Sequence, residues 1–243
     1  MSLRTLLLSC SFWLLVPCAS AVTVIAGQVP PYVIQSQQGA PSGMVIEVLE
    51  EAARRLHEPL HIELMPMARA VEQARYRADV LLVPPVKSPQ RAPRFLWITP
   101  LLDEAFVLVT HRHHHPAPVT VGELPSLSLG AMRGSYGHSL SRTLPEQRVE
   151  TVAEELNNAN KLARGRIQVW AVAWNTARYA QRQAGLPLND LVRGDTLQTT
   201  PLYLAAHPGF PPKEAARWRQ VIHEMRADGT LARILKQYDY QTP

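Results

Sequence analysis

From Val22 onward short apolar runs alternate with amphipathic stretches, the pattern of an α/β chain in which strands and helices succeed one another. Val22 to Ala26 reads as a strand, and Gly39 to Gly43 as the turn before a helix from Met44 to Leu56. On that helix Val45, Val48, Leu49, Ala52 and Leu56 recur at helical spacing and define one buried face. Strands are predicted at His61 to Leu64 and Val80 to Val83, a helix at Met67 to Arg77, and extended chain at Phe95 to Ile98 and Phe106 to Thr110. Past a histidine-rich segment the pattern restarts, with a strand Ser128 to Met132, a helix from Ser135, a helix Val152 to Ala163, a strand Ile167 to Val172 and a helix Thr176 to Ala184. Two such units in series predict two lobes. The tail from Pro211 to Tyr238 reads as two helices broken at Gly229, because glycine is unfavourable inside a helix and suited to its end.

The first residues break the pattern. Arg4 precedes a leucine-rich apolar run from Thr5 to Val16, and Ala19-Ser20-Ala21 is a small-residue cleavage signal. This is the layout of a secretory signal peptide over residues 1–21. The run falls short of the roughly 20 apolar residues that a bilayer-spanning helix needs. The expected mature protein starts near Val22, is exported to the periplasm and is soluble. Cys10 and Cys18 both lie in the leader, so the mature chain would carry no disulfide, zinc-thiolate site or cysteine nucleophile. The 243 residues carry a formal charge of +5 with the arginines scattered, and no basic or aromatic recognition motif points to nucleic acid. An anionic small molecule is the better match for that charge.

Several short segments recur in a telling order: Pro30-Pro31-Tyr32 after the first strand, Gly43 to Glu47 opening a helix, and Pro66-Met67-Ala68-Arg69-Ala70 leading to Asp79. They continue with Ser88-Pro89-Gln90-Arg91, Phe95 to Pro100, Arg133-Gly134-Ser135, Gly165-Arg166-Ile167 and Met225 to Thr230. None is specific alone; in this order and spacing the mature chain resembles the family 3 extracellular solute-binding proteins, the amino-acid-binding components of bacterial import systems. The resemblance implies a type II periplasmic-binding-protein fold: two α/β lobes, two chain crossings between them, and a ligand cleft in between. Lobe one would comprise residues 22–105 and 199–243, lobe two residues 106–198. It also implies a small-molecule ligand, an ABC-importer permease as membrane partner, a monomer, no enzymatic activity and no cofactor.

By the same resemblance Arg91 clamps a ligand carboxylate, a task suited to the guanidinium fork. Gly134 and Ser135 would supply donors from the second lobe, where a helix start favours an anion; Ser135 also reads as a plain helix cap. Tyr32 would wall the ligand with its ring. Arg69 either points into the cleft or stays solvated. Trp97 reads as core.

Two departures matter. Hydroxyl residues expected between Asp79 and Arg91 are replaced by Val83-Pro84-Pro85-Val86, and the aspartate expected after the Gly165-Arg166-Ile167 strand is replaced by Val172-Ala173-Trp174-Asn175. A buried ammonium would there lack its charge partner. Asn175 offers one neutral hydrogen bond, and Trp170 or Trp174 a wall or a cation-π face. A carboxylate without an amine, a modified amino acid and a short peptide-like molecule therefore stand beside an ordinary amino acid. Two further readings are a sensor role and an enzyme of dehydratase type on the same fold, with Glu47 or His138 as the acid. His111, His113, His114 and His115 raise a metal reading, but no Cys, Asp or Glu joins them closely in sequence, and solvated histidines are expected.

Overall fold

A computed structural model describes residues 21–36, 39–144 and 148–243. The leader, apart from Ala21, and both cysteines lie outside the described residues. One eight-stranded mixed sheet carries the fold, in the order β2-β1-β3-β8-β4-β7-β5-β6. On one side β1 (Val22–Gln28) pairs in parallel with β2 (Leu60–Pro66) and β3 (Val80–Val83). On the other, β5 (Leu129–Met132) pairs in parallel with β6 (Val149–Val152) and β7 (Val169–Ala173). Between them run two antiparallel strands of 16 residues each, β4 (Leu96–His111) and β8 (Leu191–Ala206). The chain passes from one half to the other on β4 and returns on β8, giving the two-lobed α/β arrangement with two crossings.

Helices cover both faces of each half, so its inner strands β3 and β7 are apolar throughout rather than alternating. In β3, Leu81 and Val83 pack toward α1 (Met44–Leu56), α6 (Pro212–Ala227) and α7 (Thr230–Gln237), while Val80 and Leu82 pack toward α2 (Met67–Ala74). In β7, Trp170 and Val172 meet α4 (Glu155–Ala163) and α5 (Trp174–Gln183), while Val169 and Ala171 meet Val119, Leu124 and Leu129. Successive residues thus serve opposite layers, as the period of two in a strand requires. The tail helices break at Gly229, which adopts φ +79°, and bury Trp218, Ile222, Met225 and Leu235 against α1.

Four details differ from the sequence reading. The extended stretches at Phe95 to Ile98 and Phe106 to Thr110 merge, from Leu96 onward, into one strand, because the polar residues between them, Asp103 and Glu104, still pair with β8. Val152 ends β6 instead of opening a helix, and α4 starts only at Glu155. Leu191 to Ala206 was not recognised as a strand; its first half carries Arg193, Asp195, Thr196 and Gln198 and is largely open to solvent, so it lacks an apolar signature. Helix α2 stops at Ala74 rather than Arg77.

Close approach requires glycine at Gly43 and Gly137, among other positions. Gly43 has φ +115°, and a Cβ there would lie 2.6 Å from the Tyr32 carbonyl oxygen; this lets Met44 N and Val45 N donate to Pro31 O and Tyr32 O at 3.1 and 2.9 Å, which ties α1 to the loop after β1. Gly137, in α3 (Tyr136–Ser141), lets that helix sit on β7: a Cβ would lie 2.5 Å from Ala171 O. Gly137→Ala is therefore expected to lower the unfolding free energy by about 1–3 kcal/mol, the usual range for overpacking, in urea denaturation. An unchanged midpoint would show that α3 does not rest on β7 this closely.

Candidate functional site

The carboxyl ends of the parallel strands converge on one cleft. The loop after β1 brings Val29 and Tyr32, the loop after β3 brings Pro84 and Val86, the turn after β5 brings Gly134 and Ser135, and β7 ends in Val172 and Ala173. Arg91, Met67, Phe106, Met132, Tyr136, Gly137, Glu155, Thr176 and Leu202 complete the lining. The cleft encloses about 570 Å³ of space when the open solvent at its mouth is included. Its walls are mainly apolar, with a few polar groups.

Arg91 closes the turn that begins at Ser88. Its N–H donates to Ser88 O at 2.9 Å, and its carbonyl accepts from Arg94 N at 2.9 Å, so the backbone beneath the guanidinium is fixed. The guanidinium makes no ion pair among the described residues. Burial pulls its pKa below the ordinary arginine value, opposed by the Tyr136 phenol. Ser135 caps α3, its Oγ accepting from His138 N at 3.0 Å, and Gly134 beside it has φ +74°. Tyr136 stacks edge-on against Phe106 with centroids 4.9 Å apart.

Tyr32 reaches the cleft but spends its hydroxyl elsewhere. It donates to Glu104 Oε2, and Glu104 also accepts from Asn175 Nδ2 at 2.8 Å and from Ala105 N at 3.0 Å. Burial pushes the Glu104 carboxyl upward against these donors and, with Glu104 beside it, raises the Tyr32 phenol strongly. Asn175 is buried in this network rather than lining the cleft, and its amide further clasps Gln241, with Gln241 N to Oδ1 at 2.8 Å and Nδ2 to Gln241 O at 2.9 Å. Thr176 Oγ1 donates to Pro30 O at 3.0 Å. The two halves of the sheet thus touch directly beside the cleft.

Other residues singled out by sequence lie apart from it. Arg69 is exposed on α2 and does not line the cleft. Trp174 packs beside the α4–α5 core with the Arg193 guanidinium 5.7 Å from its ring centre. Trp97 is part-buried, its indole N–H donating to Ala92 O at 3.0 Å. Glu47 accepts from the Tyr238 hydroxyl, and the His138 ring accepts from Gly134 N at 3.3 Å; neither lines the cleft. His111 is buried at the end of β4, His114 contacts Ala163 O at 3.2 Å and His115 contacts Ala117 O at 2.8 Å. No group of three metal-binding side chains forms among the described residues.

Sequence reasoning missed Glu155, the first residue of α4. Its Oε2 accepts from Asn158 Nδ2 at 2.8 Å and Trp170 Nε1 at 2.9 Å. The residue is half-buried, and burial raises its carboxyl to about 7 despite both hydrogen bonds. Between its ordinary value of 4.5 and about 7 the folded protein holds a proton that the unfolded chain has released. Stability from this group is therefore full below pH 4.5 and lost as pH rises through about 7, a change of about 3 kcal/mol by linkage. Glu155→Gln keeps an acceptor without the charge. The stability of this variant relative to the parent should increase by about that amount between pH 4.5 and pH 8 in urea unfolding. A difference that stays flat with pH would place the carboxyl in solvent.

Among the described residues no helix is long and apolar enough to cross a membrane. No curated protein matches the chain. Solved structures with the same fold include an ancestral amino acid-binding protein that is a precursor of cyclohexadienyl dehydratase (TM-score 0.78, 13% identity, 90% of this chain and 94% of that one). A mutant of ArgBP from T. maritima is similar at TM-score 0.77 and 17% identity, covering 91% and 96% of the two chains. A histidine kinase sensor domain with similarity to periplasmic binding proteins matches at TM-score 0.78 and 18% identity over 90% and 95%. The bacterial extracellular solute-binding proteins, family 3, match residues 22–241, and the chain belongs to that family.

Proposed function

We propose that the protein captures a small carboxylate-bearing ligand, an amino acid or a derivative of one, and releases it unchanged. The supporting observation is Arg91: a guanidinium half-buried in a largely apolar cleft, on a fixed turn, with no ion pair among the described residues. Removing a cation from water is costly unless an anion meets it, and a bidentate carboxylate fits its fork. Gly134, Ser135 and Tyr32 face the same space from the other turns. Residues 22–105 with 199–243 would form one lobe and 106–198 the other; Ala105 pairs with Thr199 and Phe106 with Gln198, so both boundaries fall at one level of the long strands. In this reading the protein is exported to the periplasm as a monomer, and its closed form docks on the permease of an ABC importer.

A second reading is favoured by Glu155. A cleft carboxyl that titrates near neutrality has the acidity of a general acid or base, which suits an elimination or dehydration on the same fold.

One experiment separates the two. Thermal unfolding is followed with amino acids, amine-free organic acids, short peptides and divalent metals, and any stabilising compound is re-examined by NMR after incubation. A carboxylate at about 100 times its Kd should add about 2.7 kcal/mol, recovered chemically unchanged, with the effect abolished in Arg91→Ala. Turnover of the compound would establish the enzyme. Stabilisation by metal alone, or by a carboxylate equally in Arg91→Ala, would overturn the clamp.

A further inference from the structure

Helix α5, which packs on β7, turns one face toward the segment that follows α7. Asn175, Arg178 and Arg182 stand three and four residues apart, the spacing that brings side chains together on one side of a helix, and all of them meet residues 239–241. The Arg178 guanidinium donates to Asp239 O at 2.8 Å and to its Oδ2 at 2.6 Å, and Arg182 donates to the same carboxylate oxygen. Among the described residues neither arginine has another acidic partner. Asn175 closes a pair of hydrogen bonds on the Gln241 backbone, as a neighbouring strand would. The segment itself is rooted in the β1–β3 half. Tyr240 N donates to Leu235 O at 3.3 Å and Asp239 N to Lys236 O at 3.1 Å, the paired bonds that close a helix when the first residue past its cap is left-handed. Asp239 is that residue, with φ +51°, a conformation aspartate tolerates better than most side chains. The Tyr238 and Tyr240 hydroxyls then reach Glu47 on α1 and Asp103 O on β4.

A space of about 650 Å³, counting open solvent, lies between α5 and this segment, bordered by Arg178, Tyr179, Arg182, Gln183 and Asp239. The two are held there by polar bonds around solvent rather than by a shared apolar core. Parting them would uncover mostly polar groups. Arg178 is largely covered while the Asp239 side chain stays half-exposed, and charge-assisted bonds at such a site are strong enough to bias an equilibrium and weak enough to break. We propose that residues 239–241 form a strap that holds α5, and with it the β5–β7 half, against the β1–β3 half, and so set how far the cleft stands open before any ligand arrives. The strap acts through populations: where it lets go, the halves swing apart about the β4–β8 ladder. The affinity of a cleft ligand that needs both halves then scales with the strapped fraction, whatever the chemistry of that ligand.

The test is double electron–electron resonance on the ligand-free mature chain. Cys10 and Cys18 both lie ahead of Val22, so spin labels attach only to cysteines introduced as Gln73→Cys on α2 and Arg142→Cys at the end of α3, both exposed positions. The parent should give one dominant short distance. Asp239→Gly keeps the left-handed turn and removes the carboxylate; Arg178→Gln with Arg182→Gln removes its partners. In both, the ratio of separated to approached molecules should rise at least about 5-fold, the scale of an arginine–carboxylate pair of good geometry. Salt at about 1 M, where the Debye length falls to about 3 Å, should move the parent the same way and leave the variants where they are. Circular dichroism melting shows which variants are folded, and Asp239→Gly decides the matter alone where the double substitution does not fold. An unchanged distance distribution in Asp239→Gly would overturn the strap, as would a salt response of equal size in parent and variant. A parent that is already separated without ligand would overturn it too.

Discussion

The pairing of β4 with β8 is the constraint on which the molecule depends. Both strands are 16 residues long and antiparallel, and their register runs from Leu96 opposite Ala206 to His111 opposite Leu191. Each therefore carries the chain through both halves, and either half can move against the other only by bending this ladder. The register shifts at four places, two of them at Phe106/Val107 and Val107/Val109, next to the middle of the ladder. Such irregularities bend and twist strands without breaking them. Phe106, at that point, also lines the cleft, so the irregular part of the ladder and the cleft wall share a residue.

Glu104 occupies the same level of the strand and is 1% exposed. A carboxylate so enclosed is unfavourable without donors, and the donors come from both sides: Tyr32 from the loop after β1 and Asn175 from the start of α5. Asn175 in turn holds the chain's tail at Gln241, and Arg178 of the same helix donates to Asp239 at 2.6 Å. The network is complete only when the halves meet as they do here. Its neighbour Thr176, bonded to Pro30, lines the cleft as well, so contacts between the two halves lie immediately beside the cleft.

Much of this was legible from residue pattern. Helix α1 was read at its observed bounds from the spacing of Val45, Val48, Leu49 and Ala52, and β3 from four consecutive apolar residues. The break at Gly229 followed from glycine's preference for helix ends. Strand β8 was not legible because its exposed half is polar on both faces, and a solvated strand has no hydrophobic period to detect. For the cleft, Arg91, Gly134, Ser135 and Tyr32 were picked out by resemblance and line it, whereas Asn175 is bonded to Glu104 and Trp174 packs against the core beside α4. Glu155 left no local trace: it follows Glu154 at an ordinary helix start. What distinguishes it is the indole of Trp170, fifteen residues away and brought against it only by the packing of α4 on β7.

The division of polar groups between the two halves gives the cleft its mechanical meaning. Arg91 belongs to the turn after β3, and Ser135 and Glu155 to segments flanking β5 and β6. A ligand touching only one set would bind the open and closed arrangements equally and shift nothing between them. A ligand that touches both gains contacts only when the halves approach, and its differential affinity is the free energy that favours closure. An apolar lining sharpens this dependence, since the charges on either side find no substitute partner in Val86, Phe106, Met132 or Val172. In the proposed clamp, recognition and closure would be one event.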